Sequence, residues 1–472
     1  MRNSIILLLS WLTFPNLAYS QDSTFFFDTR LQGTLSTPQT PFWLYANQNG
    51  VVPVKGSFLL AQASFQRFYN PNNPRFFQWG GGAELVANGG KQSSAFFSDL
   101  FISGRAGPIE LSIGQRKDVM GLADSVLTMG SVAMSSNFRP YPKIQISTSR
   151  FVNLLPGNDI VSVKFSYSDG LFGGADIGYG NVSWVPDVYL HQKSLYIKLG
   201  GRRHKLNLYA GFNHQVMWGS EQKIFSGGLP TSEAYNYVVF GKPWGGSRVG
   251  NHLGTIDVAG EWKAKNWNIF LYRQTIYEDG SLSNLSSIAD GLNGLRFKRI
   301  KKSPYQNFTV NTVLLEFIYT KNQGGSDFDF GTGTFGRDNY FNHYVYNQGW
   351  SYRHMTLGTP LIAPQSLFRK NLTSSGALFT TNNRLYAYHI GIDASWKQVN
   401  MLFKGTRSTN FGTYQSEFRP AVQQTSLLLK VEAPVHFWGE NFLNVSLAAD
   451  LGKLYPNSTA LSLGWRKSGF IK

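Results

Sequence analysis

The sequence predicts an all-β protein whose strands close into a membrane-spanning antiparallel β-barrel of about 18 strands. Three observations support this fold class: an export signal, a composition rich in aromatic residues and glycine, and recurring segments in which apolar and polar residues alternate. Side chains of a strand point alternately to opposite faces, so each segment forms a ribbon with one apolar and one polar surface. One such ribbon fits a soluble sandwich, but many of them indicate a barrel with lipid outside and water inside.

The first 20 residues have the three parts of a secretory signal peptide. Arg2 supplies the basic region, residues 5–14 are apolar, and Ala18-Tyr19-Ser20 forms a cleavage site. The apolar stretch is too short to anchor the chain as a membrane-spanning helix, and no long apolar run follows it. We therefore expect a chain that is exported through a cleaved signal peptide and inserted into the cell outer membrane as a barrel.

The composition fits this class. Aromatic residues make up 15% of the chain and charged residues another 15%, well below the roughly 25% that soluble domains carry. No cysteine is present, so the fold depends on backbone pairing and packing instead of disulfides. The net charge is +17, but lysine and arginine are scattered, which does not indicate a nucleic-acid partner. We interpret the excess as lumen and rim charge facing anionic lipid headgroups or an anionic polymer; a solvated positive surface without a partner is the alternative.

The alternation is clear in residues 255–265, where Val258 and Trp262 lie on the apolar face and Asp257 and Glu261 on the polar face. Segments with this pattern begin near Gly56, Phe76, Lys91, Pro108, Pro142, Asn158, Leu171, Val188, His204, Thr255, Trp267, Leu292, Phe308, Arg384, Val399, Gln423, Phe442 and Thr459. Each is long enough to cross a bilayer as a tilted strand, which needs about 10 residues. The sequence therefore predicts a barrel over residues 56–472, preceded by a pre-barrel N-terminal segment over residues 21–55.

The lengths of the connections test the barrel independently, because short turns and long loops should alternate between its two ends. Four long connections fall on the end that we expect to be extracellular: His214 to His252, Glu278 to Gly291, Asn322 to Asn383 and Asn410 to Val422. The long segment Lys117 to Tyr141 falls on the opposite end. Either a strand further upstream, such as Phe25 to Leu35, is missing from the count, or this segment folds into the lumen as a plug.

Five distinctive segments are spread through nearly the whole mature chain. They read PFWLYANQNG from Pro41, GQRKDVMGLADS from Gly114, SNFRPYPKIQI from Ser136, YEDGSLSNLSSIADGLNGLRF from Tyr277 and YNQGWSYRHMTLGTPL from Tyr346. In this order they resemble the signature segments of the capsule assembly protein Wzi family, especially its Bacteroidetes-type members. The last two segments carry most of the resemblance.

The resemblance implies an outer-membrane barrel lectin of about 18 strands that attaches or organises capsular polysaccharide at the cell surface. Its implied partners are capsular or another surface polysaccharide, outer-membrane lipid and the capsule-export machinery. Enterobacterial members carry a helical bundle near the N-terminus that closes the periplasmic end of the barrel. Residues 21–55 contain Pro38, Pro41 and Pro53 and cannot form such a bundle, so the sequence does not predict how the lumen is closed.

The longest loop, Asn322 to Asn383, combines the residue types that bind sugar polymers. Aromatic rings stack on the apolar faces of pyranoses, while amide and charged groups bind hydroxyls and uronates. The predicted polysaccharide-binding residues are Tyr346, Trp350, Tyr352 and Arg353 of this loop, with Glu278, Asp279 and Asp290 on the neighbouring rim. The alternative is that these aromatic residues pack the long loop onto the barrel mouth.

No set of residues indicates an enzyme, a metal site or a cofactor. Glu278, Asp279 and Asp290 are better explained by turns and rim hydrogen bonds than by the carboxylate pair of a glycosidase. His389 and Ser395 are about 20 Å apart on one predicted strand, and no GxSxG elbow is present, so we predict a lumen histidine instead of a lipase. An Asp-x-Asp-x-Gly stretch in the longest loop lacks the further acidic ligands of a calcium loop.

The alternative function is a porin or channel for small solutes, because a polar lumen suits both functions. Closure of the lumen separates the two hypotheses. If Lys117 to Tyr141 folds inward and seals the bore, polysaccharide binding is favoured, whereas an open bore favours the channel.

Overall fold

The computed structural model describes residues 24–245, 247–278, 286–301, 306–329, 334–437, 439 and 441–471. The predicted signal peptide, residues 1–20, lies outside the described residues. Within the described part of the chain, no helix is long and apolar enough to cross a membrane.

Eighteen strands form a closed antiparallel barrel, which confirms the predicted fold class. In chain order they are β1 (Phe25–Ser36), β2 (Phe58–Arg67), β3 (Phe77–Gly90), β4 (Ser94–Ala106), β5 (Ile109–Gln115), β6 (Pro142–Thr148 and Val152–Leu155), β7 (Asn158–Asp176), β8 (Trp184–Leu199), β9 (Leu206–Trp218), β10 (Asn251–Lys263), β11 (Trp267–Glu278), β12 (Gly291–Arg299), β13 (Phe308–Tyr319), β14 (Leu385–Trp396), β15 (Val399–Gly412), β16 (Glu417–Val435), β17 (Asn441–Gly452) and β18 (Ser458–Phe470). The two parts of β6 form one interrupted strand, because both pair with β7. Each strand pairs with the next, and β18 pairs with β1 to close the barrel.

Strand residues alternate between the outer wall and the lumen, as the sequence predicted. On β10, Val258 is 50% and Trp262 is 48% exposed on the outer wall, while Asp257 is buried on the inner side. His389 of β14 is also buried on the inner side, which confirms the predicted lumen histidine. An apolar exterior around a polar interior is the arrangement that a bilayer requires of a barrel.

Two predictions about the strands are wrong, and the errors compensate in the strand count. Residues 21–55 do not form a pre-barrel segment, because β1 lies within them and pairs with both β2 and β18. β7 is one strand where the sequence suggested two, since irregularities after Leu171 interrupt its alternation. With β1 counted, Lys117 to Tyr141 falls on the same end as the other long connections. The loop predicted from Asn410 to Val422 is short, because β15 and β16 leave only residues 413–416 between them.

The connections divide the barrel into a long-loop end and a short-turn end. The long-loop end holds the described residues of the connections 37–57, 116–141, 177–183, 219–250, 279–290 and 320–384. Turns such as 107–108, 264–266 and 397–398 form the short-turn end. In the described part of the chain, the long connections carry three α-helices, α1 (Phe42–Tyr45), α2 (Glu221–Ile224) and α3 (Thr231–Phe240), and two short 3-10 helices, Gln365–Leu367 and Lys370–Leu372. They also carry small hairpins, one of which pairs Ser351–Tyr352 with Met355–Thr356.

Three of these connections, 37–57, 116–141 and 320–384, fold into the lumen and together form what we call the plug. Their apolar side chains make one buried cluster with inward-facing residues of the wall. Plug residues that are at most 1% exposed include Phe42, Trp43, Met129, Val132, Tyr340, Phe341, Trp350 and Ile362. The hydrophobic effect that usually builds a protein core therefore acts here inside the barrel.

Polar contacts also fasten the plug to the wall. The Glu316 carboxylate of β13 accepts hydrogen bonds from Thr128 Oγ1 and from the Met129 amide, both at 2.6 Å. On another side of the lumen, the Phe42 amide donates to Asp450 Oδ2 of β17 at 2.8 Å. Because a buried polar group without a partner is costly, these bonds favour one orientation of the plug.

Candidate functional site

Two of the predicted binding residues lie in the interior of the plug. Trp350 is fully buried, and its Nε1 donates a hydrogen bond to the carbonyl oxygen of Ala133 at 2.9 Å. Tyr352 is 9% exposed and packs against Tyr141 and Phe172, with ring centroids 5.9 and 4.9 Å away. Neither ring is accessible to a sugar, so the prediction that they contact polysaccharide is wrong. Trp350 and Tyr352 instead fit the alternative given above, in which the aromatic residues of the longest loop pack that loop onto the barrel.

Tyr346 is buried as well, which contradicts its predicted contact with sugar, but it supports the surface above it. Its hydroxyl donates to the carbonyl oxygen of Gly219 at 3.1 Å and so ties the longest loop to the connection after β9. His343 stacks on the Tyr346 ring with centroids 5.4 Å apart, and burial lowers the pKa of His343 to about 3. The neutral imidazole accepts hydrogen bonds at Nδ1 from the amides of Val345 and Tyr346. This tight turn leaves the Tyr344 side chain outside.

The Asp290 carboxylate, predicted on the rim, fastens the longest loop instead. It is buried and accepts hydrogen bonds from the amides of Asn322 and Gln323 at 3.0 and 2.6 Å. The Tyr340 hydroxyl donates a third hydrogen bond at 2.9 Å. Burial raises the pKa of Asp290 to about 6. With its oxygens occupied and hidden, this residue does not bind polysaccharide, and the prediction that it does is wrong.

The remaining three predicted residues are placed differently from one another. Glu278 ends β11 and is 6% exposed, so its predicted contact with a polymer is also wrong. Asp279 lies outside the described residues. Arg353 is exposed at the tip of the hairpin in the longest loop, with a left-handed φ of 51°. A role for Arg353 in binding therefore stays a prediction.

An exposed row of aromatic rings lies at the long-loop end, contributed by three connections. Tyr344 and Tyr179 are 61% and 63% exposed, and their ring centroids are 5.9 Å apart. Tyr179 lies 6.3 Å from Phe225, which in turn lies 5.8 Å from Trp244. The last two rings are half-buried. We call these four residues the aromatic ridge.

The ridge is held in place by close contacts between the connections. The Gly178 amide donates to the Val345 carbonyl oxygen at 2.7 Å, which joins residues 177–183 to the longest loop. Gly178 and Gly180 flank Tyr179, and a Cβ at either position would lie within 2.9 Å of a carbonyl oxygen of a neighbouring connection. Only glycine allows this approach. A surface that is ordered before its ligand arrives loses less conformational entropy on binding.

The ridge has the chemistry of a carbohydrate platform. Exposed aromatic faces suit the apolar C–H surfaces of pyranose rings, while nearby amides and hydroxyls suit the sugar hydroxyls. Asn181 and Ser226 adjoin ridge residues in the chain, and Asn181 Nδ2 donates to Ser226 Oγ at 2.9 Å. Both are exposed and supply polar groups of the kind that orient a sugar on an aromatic surface.

Of the four ridge residues, only Tyr344 lies in the loop that the sequence singled out. Tyr179, Phe225 and Trp244 come from two other connections, and their spacing in the sequence does not indicate that they meet. One signal was present. Tyr179 stands between two glycines in a chain reversal, where a large ring has no packing role within its own short loop.

Below the plug, toward the short-turn end, the lumen contains a cavity of about 370 Å³. Lys117 Nζ lies 2.5 Å from Glu84 Oε1 of β3 and 3.7 Å from Asp99 Oδ2 of β4. Arg116 pairs with Glu110 of β5 at 2.8 Å. These ion pairs fix the start of the 116–141 connection against the wall. Lys117 to Tyr141 thus runs inward, the path that the sequence analysis associated with polysaccharide binding.

Among the described residues, no group of three or more His, Cys, Asp or Glu side chains is placed to hold a metal ion. The buried lumen histidine, His389, is engaged at both ring nitrogens. Its Nδ1 lies 2.7 Å from Thr406 Oγ1 of β15, and its Nε2 lies 2.7 Å from the carbonyl oxygen of Leu127 in the plug. This residue therefore joins wall and plug.

The fold is similar to that of solved outer-membrane barrels. One is Wzi of Escherichia coli, described as an outer membrane protein involved in group 1 capsule assembly and as a carbohydrate-binding β-barrel; it matches with a TM-score of 0.59 at 16% identity, covering 95% of this chain and 85% of Wzi. OccK5 of Pseudomonas aeruginosa matches with a TM-score of 0.48 at 8% identity, covering 97% of this chain and 100% of that one. No family model and no curated protein matches the sequence. The chain therefore shares the barrel fold of Wzi.

Proposed function

We propose that this protein is an outer-membrane barrel that binds surface polysaccharide non-covalently through the aromatic ridge. The observation that carries the proposal is the ridge itself, four aromatic rings in contact on the loop-bearing face of a barrel whose lumen holds a plug. Capsular polysaccharide is the proposed polymer. The resemblance of the plug segments to the Wzi family and the description of Wzi as a carbohydrate-binding barrel both support this choice.

The proposal places the long-loop end outside the cell. Barrels of the outer membrane have short periplasmic turns and longer extracellular loops. Export through a signal peptide over residues 1–20, which is then cleaved, brings the chain to this membrane. The ridge then faces the capsule, outer-membrane lipid surrounds the wall, and the short-turn end faces the periplasm. The capsule-export machinery is a further proposed partner.

Binding at the ridge is of moderate strength at a single site. One stacked aromatic ring contributes about 1–3 kcal/mol, judged from the value of burying a large apolar side chain. A polysaccharide that contacts several copies of the barrel gains avidity, because later contacts form at high effective concentration. Many weak contacts of this kind retain a polymer at the surface without covalent attachment.

The plug speaks against the alternative, a porin or channel for small solutes. The barrel fold suits either function, so the fold alone does not separate them. A channel needs a hydrated bore, whereas here apolar side chains from three connections pack together inside the lumen and reach the wall on several sides. Conduction through this barrel requires the plug to leave.

The test replaces Tyr179 and Tyr344 together with alanine. We expect the double variant to release polysaccharide into the medium and the purified protein to lose binding to capsular polysaccharide. The barrel itself should form normally, because both rings are exposed. Phe76→Ala is the matched control, since Phe76 is 62% exposed but lies at the short-turn end. A normal capsule and normal polysaccharide binding in the double variant would contradict the proposal.

A further inference from the structure

The connection between β9 and β10, residues 219–250, is called the flap here; its α2 packs on the plug, whereas its α3 folds onto the outer wall of the barrel. Its helix α3 buries Ala234 and Val238 against a cluster that includes Val216 of β9. Val216 follows Gln215, whose side chain is hydrogen-bonded inside the lumen. Because side chains of a strand alternate, Val216 points outward, and α3 lies on the lipid side of the wall.

Beneath the flap the outer wall is polar. The Tyr235 hydroxyl of α3 donates to Asp169 Oδ2 of β7 at 2.8 Å, and His191 Nδ1 of β8 lies 2.8 Å from Asp169 Oδ1. Lys193 of β8 donates from Nζ to the carbonyl oxygen of Val239. Charged side chains on the lipid face of a barrel are destabilising. The flap covers His191 completely and Asp169 and Lys193 in part.

Below the flap the apolar band of the wall is short. On β9 the outward positions Leu206, Leu208, Ala210 and Phe212 are exposed, and the next outward residue, His214, is buried. Four alternating positions span roughly 20 Å of strand, which a tilt of about 40° reduces to a height of roughly 15 Å. The apolar band of an outer-membrane barrel is about 25 Å tall. The outer surface of the flap must supply the remaining contact with the membrane.

Helix α3 descends toward this band. Tyr235 contacts the wall at Asp169, whereas Val239 contacts it at Lys193, which pairs with a residue of β7 closer to the short-turn end. The C-terminal end of α3 is therefore its end nearest the membrane. Phe240, the last residue of the helix, is 71% exposed there.

The lower edge of the flap combines this apolar tip with cations. Lys242 Nζ lies 5.6 Å from the ring centre of Phe240 and 5.7 Å from that of Tyr237. Arg248 donates from Nη1 to the carbonyl oxygen of Gly241. Aromatic rings beside lysine or arginine are typical of side chains at a membrane–water interface, where the apolar part is buried and the charge stays near the headgroups.

We propose that the flap is embedded in the membrane leaflet on the long-loop side and binds a phosphate-bearing lipid headgroup there. Phe240 enters the acyl chains, and Lys242, with Arg248 beside it, meets the phosphate. The nearby carboxylates do not compete, because Asp169 is bonded beneath the flap and Glu233 lies at the opposite end of α3. The flap also carries Phe225 and Trp244 of the ridge, but Phe240 and Lys242 are not ridge residues.

The chain has no cysteine, so single labels report the depth of the flap directly. Phe240→Cys and Glu233→Cys, each carrying a bimane label, place a probe at the two ends of α3 on the same face of the helix. In vesicles whose lipids are brominated in the acyl chains, we expect strong quenching of the label at position 240 and weaker quenching at position 233. Weak quenching at position 240 means that the flap lies in water and overturns the proposal.

A second experiment tests the headgroup. Wild-type and variant barrels are purified from vesicles of phosphatidylcholine mixed with diphosphorylated lipid A, and the lipid A that stays bound is measured. We expect Lys242→Gln to retain about fivefold less, the equivalent of one lysine at an anionic surface. Lys223→Gln, an exposed lysine of α2 in the same flap, is the control and should retain the wild-type amount. Equal retention by wild type and Lys242→Gln contradicts the phosphate contact.

Discussion

Trp350 joins two of the connections that fill the lumen. Its ring occupies the interior of the plug, and its Nε1 satisfies the Ala133 carbonyl, so the longest loop and the 116–141 connection share this contact. Removing a buried aromatic side chain costs about 3–5 kcal/mol, because packing contacts are lost and a cavity remains. A phenylalanine keeps most of the apolar contact but leaves the carbonyl without its donor, which costs about 1–3 kcal/mol.

We therefore expect Trp350→Ala to loosen the plug while the strands of the wall stay paired. Limited proteolysis should cleave residues 320–384 much faster in Trp350→Ala than in the wild type, and at an intermediate rate in Trp350→Phe. Tyr344→Ala is the control, because this exposed residue lies in the same loop. If all of these proteins resist the protease equally, the plug does not depend on Trp350.

Asp290 makes the anchoring of the same loop depend on pH. Its pKa is raised by burial to about 6, above the value in the unfolded chain. A group with a raised folded-state pKa stabilises the fold fully below its unfolded pKa, and this contribution is lost as the pH rises through the folded pKa. The free energy of unfolding should therefore fall by about 2–3 kcal/mol between about pH 4 and pH 6.

Hydrogen exchange at the Gln323 amide, which donates to Asp290, measures this effect. After correction for the intrinsic exchange rate, we expect the Gln323 amide to be less protected at pH 7 than at pH 4.5. Asp290→Asn should abolish the difference, because the amide does not titrate. An unchanged pH dependence in Asp290→Asn would assign the effect to another group.

The candidate site shows what residue types can and cannot predict. Tyr346, Trp350 and Tyr352 are residue types that bind sugars, but the same types build cores, and only the path of the loop into the lumen decides between the two roles. The ridge is harder to predict, because Tyr179 and Trp244 lie far apart in the sequence and are linked only by tertiary packing on Phe225 between them. The sequence thus predicts aromatic residues in the long connections, but not which of them stay exposed.

For a residue of a wall strand, the effect of a substitution depends on its depth in the membrane as well as on the face that it occupies. Leu271 of β11 is 60% exposed and pairs with Gly260 of β10, which pairs in turn with Leu208 inside the exposed apolar band of β9. Trp262 pairs with Leu206, at the edge of that band nearest the short-turn end. A lysine on the lipid face costs about 2–4 kcal/mol at the bilayer midplane and about 0–1 kcal/mol near the interfaces. Leu271→Lys should therefore lower the folded fraction of barrels in vesicles strongly, and Trp262→Lys only slightly. Heat-modifiable gel mobility across a urea series measures this fraction; similar losses in both variants would contradict this placement of the bilayer.

Most strands could be predicted because their period-2 pattern is local, and the two errors have local causes. β1 alternates well, but the 37–57 connection separates it from β2, so the sequence pattern groups it with that irregular segment. The pattern divides β7 because Gly170, Gly173 and Gly174 interrupt the alternation, where the pairing with β8 shifts register. Its continuity depends on that pairing with β8, which a pattern along one segment does not contain.

In the whole molecule, the wall is held by contacts that are mostly local in the sequence, whereas the plug is held by contacts between distant residues. The wall is held by a ladder of hydrogen bonds between strands that are mostly neighbours in the chain, so a sequence pattern indicates it well. The plug depends on contacts such as the hydrogen bond from the Phe42 amide to Asp450, which are 408 residues apart. Filling of the lumen therefore depends on all eighteen strands and on the three connections. A filled lumen should conduct less than an open one, which a conductance measurement tests.

A variant in which short glycine-serine turns replace residues 38–56, 118–140 and 323–382 tests directly whether the plug closes the lumen. A barrel of about 18 strands without a plug leaves an aqueous channel, so this variant should give clear single-channel steps in a planar bilayer, whereas the wild type should give none. Replacing residues 231–242 in the same way is the control, because helix α3 and the two residues after it pack on the outer wall and their loss should leave the plug in place. The unplugged variant should also lose polysaccharide binding, since Tyr344 is removed with the plug. Steady conductance steps from the wild type would instead establish the channel function and end the case for a closed, polysaccharide-binding barrel.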